Sequence, residues 1–285
     1  MLTARYPLAT SLLHLLFVAC VSRAWAADVL RIAPLPMENR EATVKAFNPV
    51  VEYLGQQLGQ AAQLVYFDKN QEIVQAFKDK AIDIAMLGAL PFVTLEMQGG
   101  LAEPLVLFRE ADGQATYRCV LVKASSDAVS LNSLRGKRIA LTQPLSTCGY
   151  LGTNAMLRQQ AGTSLENMQY SYLNTHEAAA LAVVAGDTDL AGIKEEFARK
   201  FANLGLVTLA RSKSVPALGL FANRAMLDEA RIAEIRRILL AAPESVYKTW
   251  GNSMRFGMTR AQSSDFDALR QFGDPAGIPG GSARK

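Results

Sequence analysis

The chain has 285 residues, half of them hydrophobic, with 30 Lys and Arg against 26 Asp and Glu, a formal net charge of +4, and three cysteines. A charge this small with no basic cluster gives no case for a nucleic-acid partner. The length accommodates two ordinary domains with their own cores, so no disulfide framework is needed to hold the fold.

Residues 1–26 read as a signal peptide. Arg5 supplies the positive start, Leu12 to Val21 the apolar stretch, and Ala24-Trp25-Ala26 an A-x-A cleavage site. A rival reading is lipoprotein processing at Cys20, although Phe17 is a poor residue three before a lipidated cysteine. Cleavage after Ala26 removes Arg5 and Arg23 and no acid, which takes the net charge from +4 to +2. No later apolar run approaches the roughly 20 residues of a membrane span, so the expected location is the periplasm, as a soluble exported protein.

After that segment, strands and helices alternate. Val29–Pro34, Gln63–Phe67 and Ile82–Leu87 read as strands, and Glu41–Leu58, Gln71–Lys78 and Pro91–Met97 as the helices after them. This βαβαβ run predicts a parallel sheet covered by helices. Two extended runs follow, Leu105–Arg109 and Tyr117–Lys123, with an Asp112-Gly113 turn between them. A second βαβαβ run has strands Arg138–Leu141, Gln169–Leu173 and Asp189–Ile193 and helices Gly149–Gln160, Glu177–Ala185 and Glu195–Leu204. Strands Leu206–Ala210 and Leu218–Ala222 come next. The last helices are Asp228–Leu240 and a stretch around Tyr247, Trp250 and Met254, and the Gly-, Pro- and Ser-rich residues 275–285 read as a disordered tail.

Two α/β halves joined by segments that leave and return predict two lobes with a hinge. The expected division is residues 27–115 with 214–274 in lobe 1 and 116–213 in lobe 2, with hinge segments near 115–119 and 211–217. Ligands of open α/β sheets sit beyond the carboxyl ends of the strands, which here is the cleft between the lobes.

The segment Lys137–Leu151, KRIALTQPLSTCGYL, stands out. It reads as a strand, a tight turn at Pro144 and a helix start. Unpaired N–H groups and the positive end of the helix dipole attract anions at such a place, and the Ser146 and Thr147 hydroxyls add donors. A helix cap explains one such hydroxyl; two before Gly149 point to ligand contact. Cys148 sits inside this turn. Cys148 and Cys119 have three open readings: a disulfide, inert buried side chains, or a thiol contact to a ligand.

His176, in the chain after Ala26 the one histidine, follows a strand's carboxyl end and is either a packed cap or a cleft donor. Lys194 could balance an anion's charge and Glu195 could meet a cation, although both also fit a solvated helix start. Phe92 and Met37 either line the cleft or pack. A Cys148–His176 nucleophile pair lacks a third orienting residue, so an enzyme is not expected.

Several segments carry a resemblance. They are Leu30 to Pro36 (LRIAPLP), Ala81 to Gly88 (AIDIAMLG) and Pro144 to Leu151 (PLSTCGYL). To these add His176 to Ala179 with Val184 to Asp189, and Val215 to Leu218. In order and spacing the chain resembles the periplasmic phosphate/phosphite/phosphonate (PhnD-like) substrate-binding proteins. The resemblance implies an α/β type II periplasmic binding protein fold, with two lobes, a hinge and an interlobe cleft, and no catalysis. It places the family's S-T-S-G anion loop on Ser146, Thr147, Cys148 and Gly149 and the cleft histidine on His176. The stretch Pro36-Met37-Glu38-Asn39 lacks the aromatic often found there in phosphonate binders. Their second aromatic falls on Phe92, which has no hydroxyl.

The expected function is capture of a small oxyanion of the phosphate, phosphite or phosphonate class for an inner-membrane ABC permease. One branch of the family resembles arsenite-binding sensors that signal to a membrane histidine kinase through a cleft cysteine, which here would match Cys119. The ligand-contact set is thus Ser146, Thr147, Cys148, Gly149, His176, Cys119, Phe92, Met37 and Lys194. No cofactor or metal is expected, and the protein is expected to be a monomer.

Overall fold

The computed structural model describes residues 29–272, so the signal peptide and the residue 275–285 tail lie outside the described residues. The first βαβαβ run is β1 (Leu30–Ala33), α1 (Arg40–Leu58), β2 (Ala62–Leu64), α2 (Asn70–Lys78), β3 (Ile84–Leu87) and α3 (Ala89–Met97). Then come β4 (Ala102–Phe108) and β5 (Thr116–Ala124). The second run is β6 (Arg138–Leu141), α4 (Thr153–Ala161), β7 (Gln169–Tyr172), α5 (His176–Val184), β8 (Leu190–Lys194) and α6 (Glu195–Lys200). The chain closes with β9 (Leu206–Pro216), β10 (Gly219–Asn223), α7 (Glu229–Leu240), α8 (Glu244–Tyr247) and β11 (Met258–Arg260).

These strands form two mixed sheets. The first has the order β11-β4-β10-β3-β1-β2 and the second β7-β6-β8-β5-β9. Each sheet contains a parallel trio, β2-β1-β3 in one and β7-β6-β8 in the other. Beside each trio lies an antiparallel strand contributed from across the hinge: β10 against β3, and β5 against β8. The expected parallel sheets are therefore correct for their βαβαβ cores. The antiparallel strands are additions that a returning chain makes, because a segment entering from the other lobe runs in the opposite direction.

The chain crosses between sheets after β4 and again after β9. The two crossings are joined where Ala217 N–H donates to the Ala115 carbonyl (2.9 Å), next to the Thr116–Pro216 pairing. β9 runs six residues past its predicted end at Ala210. The polar stretch Arg211–Ser214 carries no apolar signal, and pairing with β5 keeps it extended through a bulge near Arg118–Val120. The predicted helix from Gly149 begins instead as a wide π-type turn over Thr147–Gly152 that leads into α4. β11 was not expected; three residues are too short to show a period.

Separate apolar layers lie beneath the helices. Phe47, Val50 and Leu54 of α1 and Ile235 and Leu239 of α7 pack on the first sheet, with Ile32, Ile84 and Leu220. Ala179, Ala180 and Val183 of α5 pack on the second, with Val120, Val122 and Ile193.

Candidate functional site

The sites at which the parallel strands end and the next helices begin face one another across the two lobes. Asn70 opens α2, Gly88 caps α3, Ser146 caps the 147–152 turn and His176 opens α5. All four residues line one small cavity of about 30 Å³, together with Leu35, Met37, Pro91, Tyr117, Leu145, Thr147, Cys148, Lys194 and Leu218. Four helix-type N-termini thus converge, each with the partial positive charge of its end. The space is on the order of two water molecules, so it suits a compact polar group.

The loop 146–149 is built from its own hydrogen bonds. Ser146 Oγ accepts from Gly149 N–H (3.0 Å), and the Ser146 carbonyl accepts from Tyr150 N–H (3.1 Å). The N–H groups of Thr147 and Cys148, ahead of that first turn, meet no acceptor among the described residues. As an acceptor from Gly149, the Ser146 hydroxyl keeps its own proton to donate. Thr147 reaches the other lobe: its Oγ1 accepts the Leu90 N–H from the first turn of α3 at 3.0 Å. Asn70 and Gln143 form a second bridge between the lobes, with Asn70 N–H donating to Gln143 Oε1 at 2.7 Å.

Gly149 does not line the cavity. A side chain there would place its Cβ 2.0 Å from Thr142 Oγ1 and 2.7 Å from the Thr142 backbone nitrogen. The glycine lets the turn pass over the end of β6.

The His176 ring, partly buried, stacks on Phe197 with centroids 5.0 Å apart. Its Nδ1 accepts the Lys194 backbone N–H at 3.2 Å. Burial, and then the Lys194 charge, push the imidazole down to about 3, so at neutral pH the ring is uncharged and carries its proton on Nε2. It is a neutral hydrogen-bond donor.

Lys194 is almost fully buried and its Nζ is already paired, with Glu110 at 2.8 Å and Glu196 at 2.9 Å, while the Tyr117 ring lies 5.1 Å away. The ammonium expected to face an anion is held between two carboxylates. Burial pushes the Tyr117 hydroxyl upward, so it stays protonated, and it hydrogen-bonds the Thr147 side chain.

The structure settles the cysteine alternatives. Cys119 and Cys148 form a disulfide with Cα atoms 5.0 Å apart. Cys148 lines the cavity, whereas Cys119 is fully buried and does not. Neither sulfur is a thiolate, so the thiol contact to arsenite and the Cys148–His176 nucleophile pair both fall. Phe92 is also not at the cavity. It is fully buried, with ring centroids 4.8 Å from Phe221 and 4.3 Å from Phe266. Tyr117, on the strand that leaves the hinge, does line the cavity. Met37 does line the cavity.

Sequence reasoning did not single out Tyr117, Asn70, Gly88 or Pro91. Tyr117 stood two residues before Cys119 on the predicted hinge strand. Asn70 and Gly88 precede predicted helices at strand ends, the same signal that singled out Ser146 and His176.

The family described as "ABC transporter, phosphonate, periplasmic substrate-binding protein" matches residues 32–268. The chain belongs to this family. It is a periplasmic-type substrate-binding protein, of the kind that hands a small molecule to a membrane permease. Among solved structures, it resembles PhnD1 from Prochlorococcus marinus in complex with methylphosphonate. That match has a TM-score of 0.75 and 17% identity over 86% of this chain and 96% of that one. A binding protein component of an ABC phosphonate transporter from Pseudomonas aeruginosa matches with a TM-score of 0.72 and 18% identity, over 86% and 85% of the two chains. The periplasmic aliphatic sulphonate binding protein SsuA from Escherichia coli is more distant, with a TM-score of 0.54 and 15% identity over 86% and 85%. All three share the two-lobed type II fold.

Proposed function

We propose that this phosphonate-family protein captures a small tetrahedral phosphorus oxyanion, phosphate, phosphite or a phosphonate, between its lobes and delivers it unchanged to an ABC importer. The observation that carries the reading is the convergence of four helix N-termini on a cavity whose one ammonium, Lys194, is already neutralised. Attraction for an anion then comes from dipoles and hydrogen bonds, which replace the ligand's water without a counter-charge. The Thr147 and Cys148 N–H groups, the Ser146 hydroxyl and His176 Nε2–H would act as the donors, with Met37 as an apolar wall. Residues 27–115 with 214–274 and residues 116–213 would close as rigid lobes about the Ala115–Ala217 crossing.

A thermal-shift screen tests the reading, because a ligand that binds the native state alone raises the melting temperature. Phosphate, phosphite, methylphosphonate, arsenite, sulfate and methanesulfonate are compared at equal concentration. A shift with at least one phosphorus oxyanion, absent in Ser146→Ala/Thr147→Val, is the expected result. A shift with arsenite or the sulfur anions alone overturns it.

A further inference from the structure

Asn70 opens α2, lines the small cavity and is only 7% exposed. Its backbone N–H is taken by Gln143 Oε1 across the lobes, and its side-chain Nδ2 donates to the Leu145 carbonyl at 3.4 Å. That second bond orients the amide, because the flipped form would set its oxygen against the carbonyl oxygen of Leu145. The other branch, Oδ1, is buried and meets no donor among the described residues. A buried acceptor left without a donor is costly and uncommon, so it calls for a partner. Other side-chain acceptors around the cavity are engaged. Ser146 Oγ accepts from Gly149, Thr147 Oγ1 from Leu90 and His176 Nδ1 from the Lys194 backbone. The Ser146 hydroxyl and His176 Nε2–H are donors, which suit bare oxyanion oxygens. A bare oxygen set against Asn70 Oδ1 would meet a lone pair; an oxygen that carries hydrogen would bond to it.

We propose that Asn70 is a specificity residue that accepts a hydrogen bond from a protonated oxygen of the ligand, so that the preferred bound form is an acid oxyanion that keeps one P–OH. The inference rests on the oxyanion reading of the nest and adds to it a selection by proton count. Above the second ionisation, near neutral pH, hydrogen phosphate still has a P–OH, whereas the phosphite and methylphosphonate dianions have none.

Calorimetric titration with phosphate, phosphite and methylphosphonate from pH 6 to 9 tests it. The readout is the ratio of phosphate affinity to methylphosphonate affinity, since a ratio taken on one protein cancels the titration of groups that act on both ligands alike. Those groups are Tyr117, His176 and Lys194 at the cavity, Glu110 and Glu196 on Lys194, and Asp68, Lys69 and Glu72 at the start of α2. In wild type the ratio is expected to rise about tenfold per pH unit above the second ionisation of methylphosphonate, with phosphite behaving as methylphosphonate does. In Asn70→Leu, close in size and without the acceptor, the ratio should stay flat; the bridge to Gln143 uses the backbone N–H and is retained. Asn70→Ala gives the same reading if the leucine variant does not fold. A flat ratio in wild type, or one that rises as steeply in the folded variant, overturns the role of Asn70 and leaves the oxyanion nest standing. Failure of every phosphorus oxyanion to bind overturns both.

Discussion

Cys148, in the first turn of the anion loop, is tied by a disulfide to Cys119, on the strand that has just left the hinge. The bond joins the first strand after the crossing between sheets to the turn that lines the small cavity. Its closed loop spans a sequence separation of 29, which in the chain-entropy account stabilises the fold by about 3–4 kcal/mol. Reduction, or Cys119→Ser/Cys148→Ser, is expected to lower Tm by roughly 10 °C. Thermal denaturation with and without reductant measures it. An unchanged Tm in the double variant would show that the fold carries the loop without the bond.

Much of this architecture was legible because each strand is an apolar run that ends in a small or polar residue before a helical pattern. That signal located the 146–149 loop, His176 and Lys194 at strand ends. It could not assign partners, since partners come from tertiary approach. Lys194 looked free because Glu110 lies far away in the chain, before the hinge. Phe92 looked available because α3 is buried on nearly every face, and a helix with no polar side gives no hint of which face meets the cleft. Tyr117 reached the cleft through the antiparallel return of β5, which local pattern does not encode.

His176 makes stability pH-dependent on the acid side. Its folded-state value of about 3 lies below the ordinary 6.5, so between those values the unfolded chain binds the extra proton. Stability is full above about pH 6.5 and falls as the pH drops through that window, by up to about 1.4 kcal/mol per unit. Urea denaturation of wild type and His176→Asn from pH 4 to 8 checks this, with the acid-side slope expected to shrink in the variant. Ligand affinity should show no step from His176 between pH 6 and 9, because the ring is already neutral; the ligand's own second ionisation falls in this window and gives a step in wild type and His176→Asn alike, so a step that vanishes in His176→Asn would mean that the imidazolium is the binding form.

Gly149 and Thr147 separate a steric role from a bonding one. Gly149→Ala forces a Cβ against the Thr142 backbone, and overpacking of this kind is expected to cost about 1–3 kcal/mol of stability. Thr147→Val leaves the Leu90 N–H without its acceptor across the cleft. The lobes then lose one bond that joins them, worth about 1–3 kcal/mol when the donor stays buried, while Thr147→Ser retains it. Chemical denaturation should register the first change, and ligand titration together with small-angle scattering the second. Equal affinity in the valine and serine variants would remove Thr147 from the closure.

Lys194 is expected to matter for anion binding without touching the anion. With Lys194→Met, Glu110 and Glu196 keep their charges at the edge of the nest and lose their shared cation. Removing one partner of a buried pair is strongly destabilising, because the remaining charge is left uncompensated; here the half-exposed Glu196 softens the loss. Anion affinity should fall and become sensitive to salt, since added ions screen the exposed carboxylates. Replacing all three residues, as Lys194→Met/Glu110→Gln/Glu196→Gln, should restore affinity towards wild type. A lysine that contacted the ligand directly would give the opposite pattern, with the triple variant as weak as the single one, so titrations of both variants at low and high salt separate the two roles.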